Sequence, residues 1–219
     1  IRKKICEFLC KETVKQNINL EISKDAEVKF ITQEMENYWN NKWPRSTIAY
    51  KARGDKVIDI RNIFAVNIDE EEILRKLMKS IEHTKTDDEK ALYCFDYVTH
   101  RTKYQTDDKT QNVPEFWQTP YETFQSRLGD CEDQSILILK LMALAGISSW
   151  KRKLCAGYVI DKKGNKIGHA YPIFLADDIK WYVLDPTFYP EETKKMFKVK
   201  QHKERSEYQE IWFTCNEVW

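Results

Sequence analysis

The chain has 219 residues and a mass of 26.2 kDa; 42% of its residues are hydrophobic, 32% are charged, and it holds only six glycines and six prolines. That length suffices for one substantial core with a small appended subdomain, and the scarcity of glycine and proline argues against long disordered linkers. A formal charge of +1 gives no general reason to expect nucleic acid or an anionic membrane as partner, and Lys140 interrupts the longest apolar run, so no span of roughly 18–20 residues is expected.

Six cysteines (Cys6, Cys10, Cys94, Cys131, Cys155 and Cys215) are too sparse for a disulfide scaffold, and no Asn-x-Ser/Thr acceptor occurs. This favours a reducing compartment, with most cysteines acting as small buried hydrophobes. No signal-like apolar stretch opens the sequence, although it starts at Ile1 rather than Met and upstream sequence is not excluded.

Residues 1–16 place Ile1, Ile5, Phe8 and Leu9 at helical spacing. Cys6 and Cys10 share a face there; a structural role outweighs half a metal site, because no second ligand pair accompanies them. Ser23 caps a second helix through Val28, Ile31, Met35 and Tyr38 or Trp39, ended by Trp43-Pro44. Trp39 and Trp43 read as a core plug, with a ligand platform as the alternative. Residues 47–66 read as irregular or strand structure around a Gly54-Asp55 turn. Asn67 or Asp69 opens a third helix through Ile73, Leu74, Leu77 and Ile81, and Thr86-Asp87-Asp88-Glu89 is a capping box that starts a fourth along Ala91, Leu92, Phe95 and Val98. His100, at the end of that helix, is expected to be solvated or to meet the helix C-terminus.

Residues 105–119 form a polar loop, and Pro120–Ser126 suit one short helical stretch. Next comes Gly129-Asp130-Cys131-Glu132-Asp133, which feeds a helix that is apolar almost all round as far as Gly146. A cysteine in the first turn of a helix meets unpaired N–H groups and the positive end of the dipole, both of which favour thiolate. Trp150–Ile160 reads as a strand, 161–165 as a hairpin connection, and Ile167–Leu175 as its partner carrying His169. Ile179–Leu184 follows the Asp177-Asp178 turn and leads to Asp185. Beyond Pro190 the chain is rich in Lys and Arg, read as a solvated face rather than a phosphate-binding patch, and 211–219 is apolar enough to dock onto the core or a partner.

Cys131, His169 and Asp185 thus supply a nucleophile, a base and an orienting carboxylate, in that order. At these residues the sequence resembles the transglutaminase-like superfamily, and more closely its bacterial transglutaminase-like cysteine proteinases. Trp117-Gln118-Thr119-Pro120-Tyr121-Glu122-Thr123, Gly168-His169-Ala170 and Leu184-Asp185-Pro186 resemble the blocks around their papain-like triad. The likeness spans roughly residues 90–190.

The resemblance implies an α+β fold with a papain/transglutaminase-like core: a nucleophile-bearing central helix on an antiparallel sheet, with extra N-terminal helices. The expected organisation is an N-terminal helical extension (1–66), a catalytic core (67–190) and a charged C-terminal segment with a docking end (191–219). Cys131, His169 and Asp185 would carry thiol-dependent acyl transfer at peptide or amide carbonyls. The expected activity is that of a cysteine peptidase or amidase. Transglutaminase activity is the alternative, and a catalytically inactive structural or binding module in a larger assembly is another. Gln118, which resembles the transglutaminase-like lead-in, and Gln125, six residues before Cys131 as in papain-like enzymes, are the oxyanion candidates, with the Cys131 N–H beside either. No cofactor is required, but a calcium ion held through Asp130 and Glu132 is an alternative that the resemblance suggests. The expected partners are a protein or peptide substrate, or an assembly partner.

Overall fold

The computed structural model describes residues 33–43, 49–79, 81, 85–195 and 202–218. The helix expected over 1–16, with Cys6 and Cys10, lies outside the described residues, as does the start of the second helix; residues 33–40 are helical.

The helix that Cys131 opens is the centre of the molecule. It runs Cys131–Leu144 (α5), and Ile136, Leu137, Ile138, Leu139, Leu141, Met142 and Leu144 along it are all at most 4% exposed. Each such side chain contributes about 1.5–3 kcal/mol by leaving water, so the helix is fixed by burial on several faces rather than by one amphipathic stripe. Gly146, at φ 84°, ends it. Between residues 87 and 126 lie α2 (Asp87–Arg101), the short α3 (Asp107–Thr110) and α4 (Pro120–Ser126). Before them, α1 (Ile68–Met78) opens on a capping box between Asn67 and Glu70. Thr86–Glu89 and Thr119–Glu122 make the same reciprocal pairs at the starts of α2 and α4. In α1 the buried stripe is Leu74 and Met78, while Ile73 is exposed; Ile81 is buried beyond the end of the helix. His100 is exposed on the last turn of α2, its Nδ1 2.9 Å from the Asp96 carbonyl.

Residues 49–59 form a hairpin, β1 (Ala49–Arg53) and β2 (Lys56–Asp59), turning at Gly54-Asp55. A two-residue parallel pair, β3 (Lys103–Tyr104) with β4 (Leu128–Gly129), ties the end of α2 to the loop that delivers Cys131. The main sheet is antiparallel, in the order β7 (Trp181–Val183), β6 (Lys166–Leu175), β5 (Arg152–Ile160), β8 (Tyr208–Cys215). α5 packs on this sheet, and Ala156, Ala170, Phe174 and Phe213 join its core.

The C-terminal stretch read as a docking end is the edge strand β8 of that sheet, and Glu217 just beyond it pairs with the buried Arg152. Trp39 and Trp43 pack edge-on against Trp181 of β7, with ring centroids 5.8 and 5.2 Å apart, which is the core-plug arrangement. Asn40, one residue after Trp39, accepts a hydrogen bond from the buried Lys153 of β5. No helix among the described residues is long and apolar enough to cross a membrane.

β8 can lie against β5 only because position 157 lacks a side chain: a Cβ on Gly157 would sit 1.9 Å from the Glu210 carbonyl oxygen. The Gly157→Ala variant is expected to lose about 1–3 kcal/mol of stability from this backbone clash, read as a lower midpoint in chemical denaturation.

Candidate functional site

Cys131 is the first residue of α5, so its N–H has no carbonyl partner within the helix. The Ser135 hydroxyl, one turn on, reaches both the Cys131 carbonyl (2.5 Å) and the Ala170 carbonyl of β6 (3.4 Å), which pins the helix start to the strand carrying His169. The Ala170 N–H faces the Cys131 sulfur and favours its thiolate. Fold and register therefore bring the helix start and His169 to the same end of the sheet.

His169 is buried, and its Nε2 lies 2.6 Å from Asp185 Oδ2. Phe188 and Tyr171 flank the imidazole, with centroids at 4.7 and 6.0 Å. Asp185 is fully buried and saturated: Oδ1 accepts from the N–H groups of Thr187 (2.9 Å) and Phe188 (3.1 Å), and Oδ2 accepts from His169 and from the Tyr208 hydroxyl (2.8 Å). Burial alone would raise the carboxyl, but the His169 charge and hydrogen bond, together with Tyr208 and the Phe188 N–H, outweigh it and hold it below its ordinary value. With Nε2 directed to Asp185, the other ring nitrogen, Nδ1, is left for proton transfer.

The thiol itself donates to Glu132 Oε2 at 3.0 Å. Burial, followed by the charges of Glu132 and Asp130, pushes it well above the free-thiol range. Glu132 is buried, and desolvation plus the neighbouring Asp130 push its pKa well above the usual carboxyl range. Asp133 is raised by the same two causes, and Asp107 is pushed up to about 7 by burial and then by Asp130. The N-terminal end of α5 is thus an acid cluster, which opposes the thiolate that the helix end favours.

Gln118 and Gln125, the expected oxyanion donors, are engaged elsewhere. Asp133 is buried and needs donors: the Gln118 N–H (2.7 Å) and Nε2 (2.6 Å) both bind it, and Nε2 also meets the Leu128 carbonyl (3.1 Å). Gln125 is on the exposed face of α4, donating to the Tyr121 hydroxyl at 2.8 Å. Both amide hydrogens of Gln118 are thus engaged, whereas Gln125 spends one of its two on Tyr121.

Among the described residues, two groups are close enough to share a cation: Asp130 and Glu132 with Cys131, and Asp107, Asp130 and Asp133. The sequence pointed to Asp130 and Glu132. It gave no signal for Asp107, 23 residues before Asp130 in a polar loop, which the parallel pair β3–β4 carries to the start of α5. The Oδ1 atoms of Asp107 and Asp130 are both buried without a hydrogen-bond partner. Two buried, unpartnered carboxylate oxygens among acids are the setting that a hard cation with oxygen ligands fits.

The family model of the transglutaminase-like superfamily matches residues 75–186, just over half of the sequence. The chain belongs to the transglutaminase-like superfamily. Among solved structures it is similar to LapG of Legionella pneumophila (17% identity, 67% of this chain and 83% of that chain, TM-score 0.49). It is also similar to the EGTA-treated form of that protein (18%, 67% and 81%, 0.49) and to its calcium-bound form (19%, 67% and 83%, 0.44). No curated protein sequence matches. In this transglutaminase-like chain Tyr50 and Tyr208, which border the site from β1 and β8, lie outside the matched residues. Burial and then the nearby Glu115, Glu132 and Cys131 charges push the Tyr50 hydroxyl up.

Because the folded pKa of Asp185 lies below its ordinary 3.8, its contribution to stability is present above that value and is lost as pH falls through the lowered one. The Asp185→Asn variant is expected to be less stable than the parent at pH 7 and to lose less on going from pH 5 to pH 3, read from denaturation midpoints at the three pH values.

Proposed function

We propose that the protein is a thiol acyl-transferase acting on peptide or amide carbonyls, as a cysteine peptidase or amidase, with Cys131 as nucleophile, His169 as base and Asp185 as orienting carboxylate. The observation that carries this reading is the buried His169–Asp185 pair at 2.6 Å, seated on the strand whose Ala170 N–H faces the Cys131 sulfur. Membership of the superfamily supports it.

His169 Nδ1 takes the thiol proton, and the Cys131 sulfur attacks the carbonyl carbon, forming a C–S bond as the π electrons move to oxygen. The Cys131 N–H donates to that oxyanion. Collapse re-forms the carbonyl and expels the amine, which takes the proton from the imidazolium and leaves a thioester. Water, deprotonated by His169, attacks the thioester; the acid departs and the thiolate recovers the proton. Asp185 holds the imidazole tautomer and stabilises its charge throughout. Iodoacetamide labelling of Cys131 near neutral pH is expected to depend on His169 as proton acceptor and to slow markedly in His169→Ala. Cys131→Ala is expected to keep the fold and abolish turnover of peptide and amide substrates; turnover unchanged in that variant overturns the mechanism.

We propose further that calcium binds at Asp107, Asp130 and Asp133, with Glu132 adjoining. Unpartnered Oδ1 atoms on Asp107 and Asp130, and the all-oxygen character of the cluster, support this. Bound there, the ion would offset the negative charge that opposes thiolate formation at Cys131. The expected outcome is a calcium-dependent rise in thermal midpoint and faster Cys131 labelling, both reversed by chelator and both much reduced in Asp107→Asn. A midpoint indifferent to calcium in the parent protein excludes the site.

A further inference from the structure

We infer that Tyr208, on the edge strand β8, is a positioning residue of this site: its hydroxyl fixes the Asp185 carboxylate and restrains the pull of that carboxylate on the His169 proton. The inference rests on the functional reading above but concerns the His169–Asp185 pair alone.

Four donors reach Asp185, and they are not equivalent. The N–H groups of Thr187 and Phe188 come from the turn that carries Asp185 itself and both bind Oδ1, so they orient the carboxylate only relative to its own loop. The Tyr208 hydroxyl comes from a strand 23 residues on and binds Oδ2 at 2.8 Å, the same oxygen that receives His169 Nε2. It therefore ties the carboxylate to the sheet and shares the electron density that the imidazole N–H uses. A donor on a carboxylate oxygen favours the charged form and makes the anion a weaker base. Fewer electrons are then offered to the imidazolium, so His169 gives up its proton more readily.

Tyr208 is itself held in place. Its ring lies 4.2 Å from that of Tyr171 and 5.9 Å from that of His202, and Tyr171 hydrogen-bonds His202 at 3.0 Å. Just before β8, the buried Arg205 pairs with Glu192 and lies over the Tyr189 ring, while the Tyr189 hydroxyl binds Glu207. The Tyr189 N–H in turn reaches the Asp185 carbonyl at 3.0 Å. The loop after Asp185 and the segment leading into Tyr208 are thus clasped together. The titratable and charged groups facing this pair are His169 and Tyr171 from β6, Asp130 toward His169 from the start of α5, and Tyr189, His202 and Arg205 around Tyr208.

The test is the titration of the His169 ring, followed by NMR with 13C-labelled histidine, in the full chain and in Tyr208→Phe, which keeps the ring and its packing but removes the donor. The His169 titration midpoint is expected to rise in Tyr208→Phe by part of the roughly one to two pH units that one hydrogen bond to a charged group is worth, since the lost bond acts on Asp185 directly and on His169 through it. Should that variant fold poorly, 3-fluorotyrosine at position 208 keeps the ring with a more acidic hydroxyl, and the midpoint is expected to fall. A role confined to packing leaves the midpoint unmoved in both proteins, and that result overturns the inference. Cys131 labelling in the parent protein and in His169→Ala separates the two proposals. Labelling that His169→Ala leaves unchanged, with a midpoint that follows position 208, removes the catalytic reading and keeps the positioning role; labelling that slows in that variant, with an unmoved midpoint, does the reverse.

Discussion

A carboxylate with no exposure to water is costly unless every lone pair is met, and the chain is arranged so that Asp185 meets that demand. Two of its four donors are local and two come from separate strands, so the loop after β7, the strand β6 and the strand β8 must all be in register for the charge to be tolerated. The same requirement that makes the group expensive makes its position unambiguous. His169 inherits this definition through one short hydrogen bond, and Tyr171 and Phe188 leave its ring little room to turn.

The other half of the site obeys an opposite logic. The start of α5 offers unpaired N–H groups that stabilise a thiolate, yet the same turn carries Asp130, Glu132 and Asp133, and the loop adds Asp107. Burial and mutual repulsion push the pKa values of these acids up, and the thiol donates to one of them. Cys131 and His169 therefore stand in different surroundings: the His169–Asp185 pair is satisfied within the protein, whereas the acids beside Cys131 include two buried carboxylate oxygens without a hydrogen-bond partner.

What the sequence made legible was what depends on neighbours in the chain. The capping box at Thr86–Glu89, a helix start at Asn67 or Asp69, the apolar run after Cys131, the hairpin of β5 and β6 and the Gly54-Asp55 turn are all short-range signals, and each is present, the third helix opening at Asn67. Long-range consequences were not legible. Nothing local marks Lys103–Tyr104 and Leu128–Gly129 as partners, because two-residue strands have no periodicity to read. Asp107 reaches the acid cluster through that pairing. Gln118 looked available because spacing says nothing of Asp133, whose burial claims both ends of the glutamine. Ile73 fits a helical stripe but lies on the exposed side, since Leu74 and Met78 set the contact line. The stretch 211–219, read as docking onto the core or a partner, enters the core through Phe213 and Cys215, but that it does so as a sheet edge depends on Gly157 of the facing strand, which nothing local announces.

The order of strands in the sheet also sets an order in time. A chain emerging from the ribosome releases Cys131, then His169, then Asp185, and only later the strand that closes the edge of the sheet at β5 and brings the last donor to the buried carboxylate. During synthesis the thiol, the imidazole and the acid thus coexist for a time without the clasp that aligns them. The buried charge of Asp185 is fully met only once β8 has docked, so the His169–Asp185 pair and the edge of the sheet are completed together.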